Sequence, residues 1–311
     1  DMTAKEFSLR TGISERTLSS IITGKGNITF EVADKLAEFF DNTVEFWVNL
    51  QVQYDIYLNE KKKNEGIAED WKYICSIKKY LINNGYLQVN DSKEDAVYKI
   101  RKLIGVNSIA LLNSSKSFVC FKEQHNKKEN DYFYQNFWLA LALNEARKKN
   151  ENEYDKKKLK ASIQKIKDMI MLDPNEFYPQ LEEILKECGV SFVFIPYLSK
   201  SNIYGATKWI GKNNVMLAMS NRNGKADMFW FTLFHELSHV LMEHKRETLY
   251  NLVDEEDEEA DMMAADMLIP RKDWLEFIKY DTFTINSIKE FASKVRVLPC
   301  IVLGRLHKEK G

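Results

Sequence analysis

Residues 229–244 read FWFTLFHELSHVLMEH, and this stretch limits the possible folds of the chain more than any other. Phe229, Trp230, Phe231, Leu233, Phe234, Leu237, Val240 and Leu241 are apolar nearly all round a helix, the pattern of a helix buried on every side. Into the middle of it fall His235, Glu236 and His239. Burying such groups without a partner costs several kcal/mol, and their H-E-x-x-H spacing points to a metal ion as the partner. Positions i and i+4 share one helix face, so the two imidazoles reach one ion, at the roughly 2.0–2.1 Å that zinc takes. Glu236 is placed to reach a water on the open position of that ion and to act as general base. Asp227 is the expected N-cap. The competing reading is a chance match on a core helix, and three of the chain's five histidines falling at 235, 239 and 244 weigh against it. His244, one turn beyond His239, is read as a helix C-terminal histidine, where positive charge is favoured, rather than as an oxyanion-stabilising group.

Two histidines leave a third ligand to find. Residues 254–270, DEEDEEADMMAADMLIP, place six consecutive acids ahead of an apolar helical run. Most of these acids are expected to be solvated charges at a helix N-terminus; one suffices for the metal. Glu259 is the acid nearest the apolar stretch, with Glu258 and Glu256 as alternatives. Asp261 or Asp266 is expected to accept a hydrogen bond from the second ring nitrogen of a ligand histidine.

Ahead of the motif lie three runs of strand length, 190–197, 204–210 and 213–219, the last two joined by a hairpin turn at Gly211-Lys212. An exposed edge strand holds an extended peptide through backbone hydrogen bonds. Ala206, Thr207 and Trp209 are the candidate substrate-binding residues on that edge.

The first residues carry a different signal. Thr3 caps a helix AKEFSLRT, with Glu6 completing a capping box. Gly12 makes the turn, and Ser14 caps a second helix, ERTLSSIIT. Such a pair sets its second helix into the DNA major groove. Glu15, Arg16, Ser19 and Ser20 are the candidate base readers, and Thr17 and Lys25 the candidate phosphate contacts. Thr29 caps a third helix, and a fourth contains Phe46 and Trp47. Residues 59–66, NEKKKNEG, are the expected linker. Beyond it, amphipathic patterns predict helices over 70–81, 92–104, 133–148 and 156–171. The lysine-rich face of the last is read as solvated, and the aromatic cluster of Tyr132, Phe133, Tyr134, Phe137 and Trp138 as core.

Charge balances almost fully, with 45 basic and 46 acidic residues, so any nucleic-acid surface must be local. The four cysteines form no C-x-x-C pair. No apolar run reaches the length of a membrane span, and a cytoplasmic location is expected.

Two resemblances extend these readings. MTAKEFSLRTGISERTLSSIITGKGNIT, EVADKLAEFF and FWVNLQVQYD resemble the Xre-type helix-turn-helix of HigA-like antitoxins. That domain ordinarily opens with a helix ahead of MTAKEF, which this sequence lacks. FHELSHVLMEH, EEADMMAADMLIP, GATKW and DMFWFT resemble the ImmA/IrrE metallopeptidases. The second resemblance implies that His235, His239 and Glu259 hold Zn2+ and that Glu236 is the catalytic base. The expected fold class is therefore mainly α with a small β-sheet, α+β: a helix-turn-helix domain over 1–58, a helical linker or spacer over 59–172, and a zincin-like metallopeptidase domain over 173–311. The expected function is that of a DNA-binding, antitoxin-like regulator with a zinc-dependent endopeptidase that cleaves a partner regulatory protein. The alternative is a transcriptional regulator or antitoxin whose metallopeptidase-like domain serves as a sensor or interaction module. Expected partners are a double-stranded DNA operator, a protein substrate and a second copy in a homodimer.

Overall fold

The computed structural model describes residues 2–113, 132–149, 152–243, 253–279 and 283–310. The chain divides into two compact units, Asp1–Lys72 and Tyr73–Gly311.

In the first unit, α1 (Ala4–Thr11), α2 (Glu15–Ile22) and α3 (Phe30–Phe40) start where capping chemistry directs them. The side chains of Thr3, Ser14 and Thr29 accept the backbone N–H groups of Glu6, Thr17 and Val32, satisfying donors that a helix start otherwise leaves open. The capping box at Thr3 forms only by half, because the Glu6 carboxylate pairs with Arg10 at 2.8 Å. Gly12 closes α1 in the left-handed region, at φ 68°, where a side chain is disfavoured. Ile13, Leu18, Val32 and Leu36 form the small core, with Phe7, Ile21, Ile28 and Trp47 packed on it.

The fourth helix, α4 (Val44–Asn83), is 40 residues long and spans the point at which the two units divide. The charged run 59–66, expected as a break, is helical throughout. Lysine and glutamate are good helix formers, so a polar run without proline interrupts the apolar pattern without interrupting the helix.

The second unit continues with α5 (Lys93–Ile104), α6 (Tyr132–Lys149), α7 (Lys156–Asp168) and α8 (Pro174–Glu187). The sheet follows as β1 (Val190–Phe194), β2 (Gly205–Ile210) and β3 (Asn214–Met219), in the order β1-β3-β2. β3 lies parallel to β1, Val190 opposite Val215, and antiparallel to β2, Ala206 opposite Ala218. Among the described residues β2 is thus an outer strand. Then come α9 (Ala226–Leu241), α10 (Val253–Leu268), α11 (Arg271–Phe277), α12 (Ile285–Val295) and α13 (Pro299–Lys310).

The two-residue period of β3 sends Val215, Leu217 and Met219 into one core with Trp230, Leu233, Phe234 and Leu237 of α9. Met216 and Ala218 alternate with them and are equally buried, and α6 packs along β1 and β3. Burial on both faces is why β3 reads as a continuous apolar run. Phe133, Phe137 and Trp138 of α6 are buried, as a core cluster requires, and the Trp138 Nε1 donates to the carbonyl of Pro196 at 3.2 Å. Leu159 and Ile166 of the lysine-rich α7 reach the same core as α9. None of the described helices is long and apolar enough to cross a membrane.

Candidate metal centre

α9 is apolar because it is enclosed: every residue from Thr232 to Leu241 is buried. It begins at Ala226 with Lys225 at the cap position. Asp227, expected as the N-cap, lies inside the first turn, where its charge still suits the helix N-terminus. His235, Glu236 and His239 are 9 %, 7 % and 8 % exposed.

The two histidines face α10, which packs along α9. His235 Nε2 and His239 Nε2 lie 3.1 Å apart, and Asp257 Oδ1 lies 3.3 Å from His239 Nε2. These three side chains form a group whose ligand atoms lie within 4.8 Å of one another. Donors about 2.0–2.1 Å from one tetrahedral ion are about 3.3 Å from each other, and the His235–His239 and His239–Asp257 separations of 3.1 and 3.3 Å are close to that value. Two imidazole nitrogens and one carboxylate oxygen also form a donor set found in catalytic zinc sites, which leave the fourth position open.

The other nitrogen of His235 is engaged. Nδ1 meets Asp261 Oδ1 at 2.7 Å, as expected of Asp261, and Asp261 Oδ2 accepts from Lys308 Nζ of α13 at 2.6 Å. A carboxylate on Nδ1 holds the proton there and turns the Nε2 lone pair toward the metal position. Burial opposes a charge on His235, yet its hydrogen bond to Asp261 and the nearby carboxylates outweigh burial and raise its pKa. Burial likewise works against the ionised form of Asp261, but His235 and Lys308 hold its carboxyl well below the usual range. Asp266 instead pairs with Arg305 at 3.2 Å.

Glu259, expected as the third ligand, is exposed, as is Glu258. This placement follows from helix geometry. Asp257, Ala260, Ala264 and Leu268 form the buried stripe of α10, and a residue two positions after Asp257 points roughly 200° away from it. Asp257 and Asp261, four apart, share the inward face. The periodicity of that stripe in the sequence is the signal that places Asp257, rather than Glu259, on the face turned toward α9. His244 and the side chain of Glu256 lie outside the described residues.

Glu236 turns toward β2. The Thr207 hydroxyl donates to Glu236 Oε2 at 2.7 Å. Gly205 stands so close to α9 that a Cβ there would lie 2.7 Å from Thr232 Cγ2 and 3.0 Å from Glu236 Cγ, so only glycine allows this approach. Of the three expected substrate-binding residues, Thr207 therefore touches the candidate base. Ala206 is buried and lies opposite Ala218 of β3. Trp209 stacks edge-on against Tyr154 at 5.2 Å, and the Tyr154 hydroxyl donates to the carbonyl of Val240 on α9.

In the first unit, Glu15, Arg16, Ser19 and Lys25 are exposed. Thr17 is tied to the cap of α2 through Ser14 Oγ, 2.8 Å away. Ser20 is half-buried, and its carbonyl accepts the N–H groups of Lys25 and Gly26. Leu18 of α2 turns inward, whereas Glu15, Arg16 and Ser19 stay exposed.

Residues 182–307 match the family described as the IrrE N-terminal-like domain, and residues 1–47 match a helix-turn-helix family. The chain is 43 % identical over 51 residues to an uncharacterized HTH-type transcriptional regulator of Haemophilus influenzae, covering 16 % of this chain and 48 % of the relative. It is 31 % identical over 81 residues to the uncharacterized HTH-type transcriptional regulator YbaQ of Escherichia coli, covering 26 % of this chain and 70 % of YbaQ. The chain therefore spans about half the length of the first of these relatives. No solved structure matches it.

Proposed function

Since the chain belongs to the helix-turn-helix transcriptional regulators and carries an IrrE N-terminal-like domain, we propose that it is a DNA-binding regulator whose second unit is a zinc-dependent endopeptidase acting on a partner regulatory protein. The observation that carries the reading is the meeting of His235, His239 and Asp257 on buried helix faces beside Glu236. In this reading Asp257, rather than Glu259, is the third ligand. A metal bound there supplies Lewis-acid activation of a water and of the scissile carbonyl.

The chain's own residues do the rest. His235 and His239 present Nε2, and Asp261 fixes the tautomer of His235 through Nδ1. Glu236 takes a proton from the attacking water on a carboxylate oxygen and passes it to the leaving amine. Thr207 orients that carboxylate through Oε2. The outer edge of β2 holds the substrate backbone extended alongside α9. Glu15, Arg16, Thr17, Ser19, Ser20 and Lys25 serve operator DNA from α2 and the turn after it, the exposure of Arg16 and Lys25 supporting that role.

Incubation with the proteins encoded beside this chain, with and without a chelator, tests the reading. Chelator-sensitive cleavage of one of them supports it. Metal binding with no cleavage in any arm favours the sensor or interaction role for the second unit.

A further inference from the structure

Apart from the candidate metal centre, the second unit holds a pocket of about 540 Å³ that is partly open to solvent, well within the size range of small-molecule sites. It lies among the N-terminal ends of α8 and α9, the end of β1, and the segments flanking β2 and β3. Phe177, Tyr178, Phe194, Phe229 and Trp230 form aromatic walls, held in place by ring contacts of Phe177 with Phe229 at 5.6 Å and Trp230 at 4.9 Å.

The charge on the lining is of one sign. Arg222 and Lys225 line the pocket, and no carboxylate does among the described residues. Asp227, the acid of the first turn of α9, points elsewhere: its Oδ2 lies 3.8 Å from where a Cβ on Gly304 of α13 would stand. The guanidinium of Arg222 is held over the Tyr204 ring at 4.2 Å and donates to the carbonyl of Asn202. Lys225 is exposed at the start of α9, so the positive end of that helix opens on the same rim.

We propose that this pocket binds a small amphipathic acid, with an apolar body along the aromatic walls and a carboxylate at Arg222, Lys225 and the first turn of α9. The walls select for apolar volume, and the rim selects for the sign of the head group. Thr232 lines the pocket one turn before Glu236 on the same helix, so a ligand seated here would lie next to the element that carries the metal centre. The inference stands on the lining residues alone and does not need the peptidase reading to be right.

Isothermal titration of the full chain with decanoate, decanol and decylammonium, which share a tail and differ in the head, tests it. The expected result is one saturable decanoate site, with decylammonium weaker by roughly tenfold or more. Replacing both Arg222 and Lys225 by alanine should remove that preference while decanol binding is unchanged. Met228→Trp, which adds bulk to the lining, should weaken all three. Absence of saturable decanoate binding, equal affinity for decylammonium, or an undiminished preference in the double alanine variant would overturn the proposal. The double variant alters two residues on the rim, so it decides the matter even if Met228→Trp does not fold.

Discussion

Replacing Asp257 by asparagine keeps the side chain's shape and removes the charge that faces His239 Nε2 at 3.3 Å. If the metal is held by His235, His239 and Asp257, this change takes away one of three protein ligands and the negative one. Zinc bound through four protein ligands contributes about 10–16 kcal/mol, or roughly 3 kcal/mol for each, which corresponds to about two orders of magnitude in Kd. Asp261→Asn should cost less, about 10- to 100-fold, because it acts through the orientation of His235. Glu259→Gln changes an exposed residue and should leave affinity unchanged. Competition for zinc against a chromophoric chelator reads all three variants on the same scale. Unchanged affinity in Asp257→Asn, with a loss in Glu259→Gln, would refute the assignment and restore the one that the resemblance implied.

Three further outcomes are expected. Trp138→Ala should destabilise the second unit by about 3–5 kcal/mol in denaturant titration, since the side chain is fully buried against β1 and its following turn. Lys167 is 6 % exposed, and burial lowers its pKa from the ordinary 10.5 against the pull of Asp168 and Asp273. Between the lowered value and 10.5 the unfolded chain binds more protons than the folded one, so the cost of the buried charge is fully present below that window and fades as pH rises through it. Lys167→Met should therefore raise the Tm at neutral pH, with the gain shrinking toward pH 10.5. Arg16→Ala should weaken operator binding by roughly 1–3 kcal/mol and relax its specificity if Arg16 reads a base, measured by fluorescence anisotropy at a fixed salt concentration.

How much of this was legible in the sequence differs from element to element. Caps at Thr3, Ser14 and Thr29 place helix starts correctly because a side-chain oxygen three residues ahead of an open N–H is a local event. The hairpin at Gly211 is equally local, its φ of 69° asking for glycine. The unbroken α4 was not visible as one helix, since helical continuity through 59–66 rests on backbone bonding that polar residues support as well as apolar ones. The choice of Asp257 over Glu259 turned on a rotation of two residues about α10. The Lys308–Asp261 and Thr207–Glu236 hydrogen bonds join segments 47 and 29 residues apart, and no pattern within either segment records its partner.

The central claim is that Glu236 moves the proton while the histidines and Asp257 hold the metal, and one comparison tests it directly. The intact chain and its Glu236→Gln variant, both loaded with zinc to the same measured content, are incubated with a candidate partner protein, and new peptide termini are identified by mass spectrometry. The account predicts cleavage at a defined bond by the intact chain and none by the variant, whose zinc affinity is unchanged. Equal cleavage by both would contradict it.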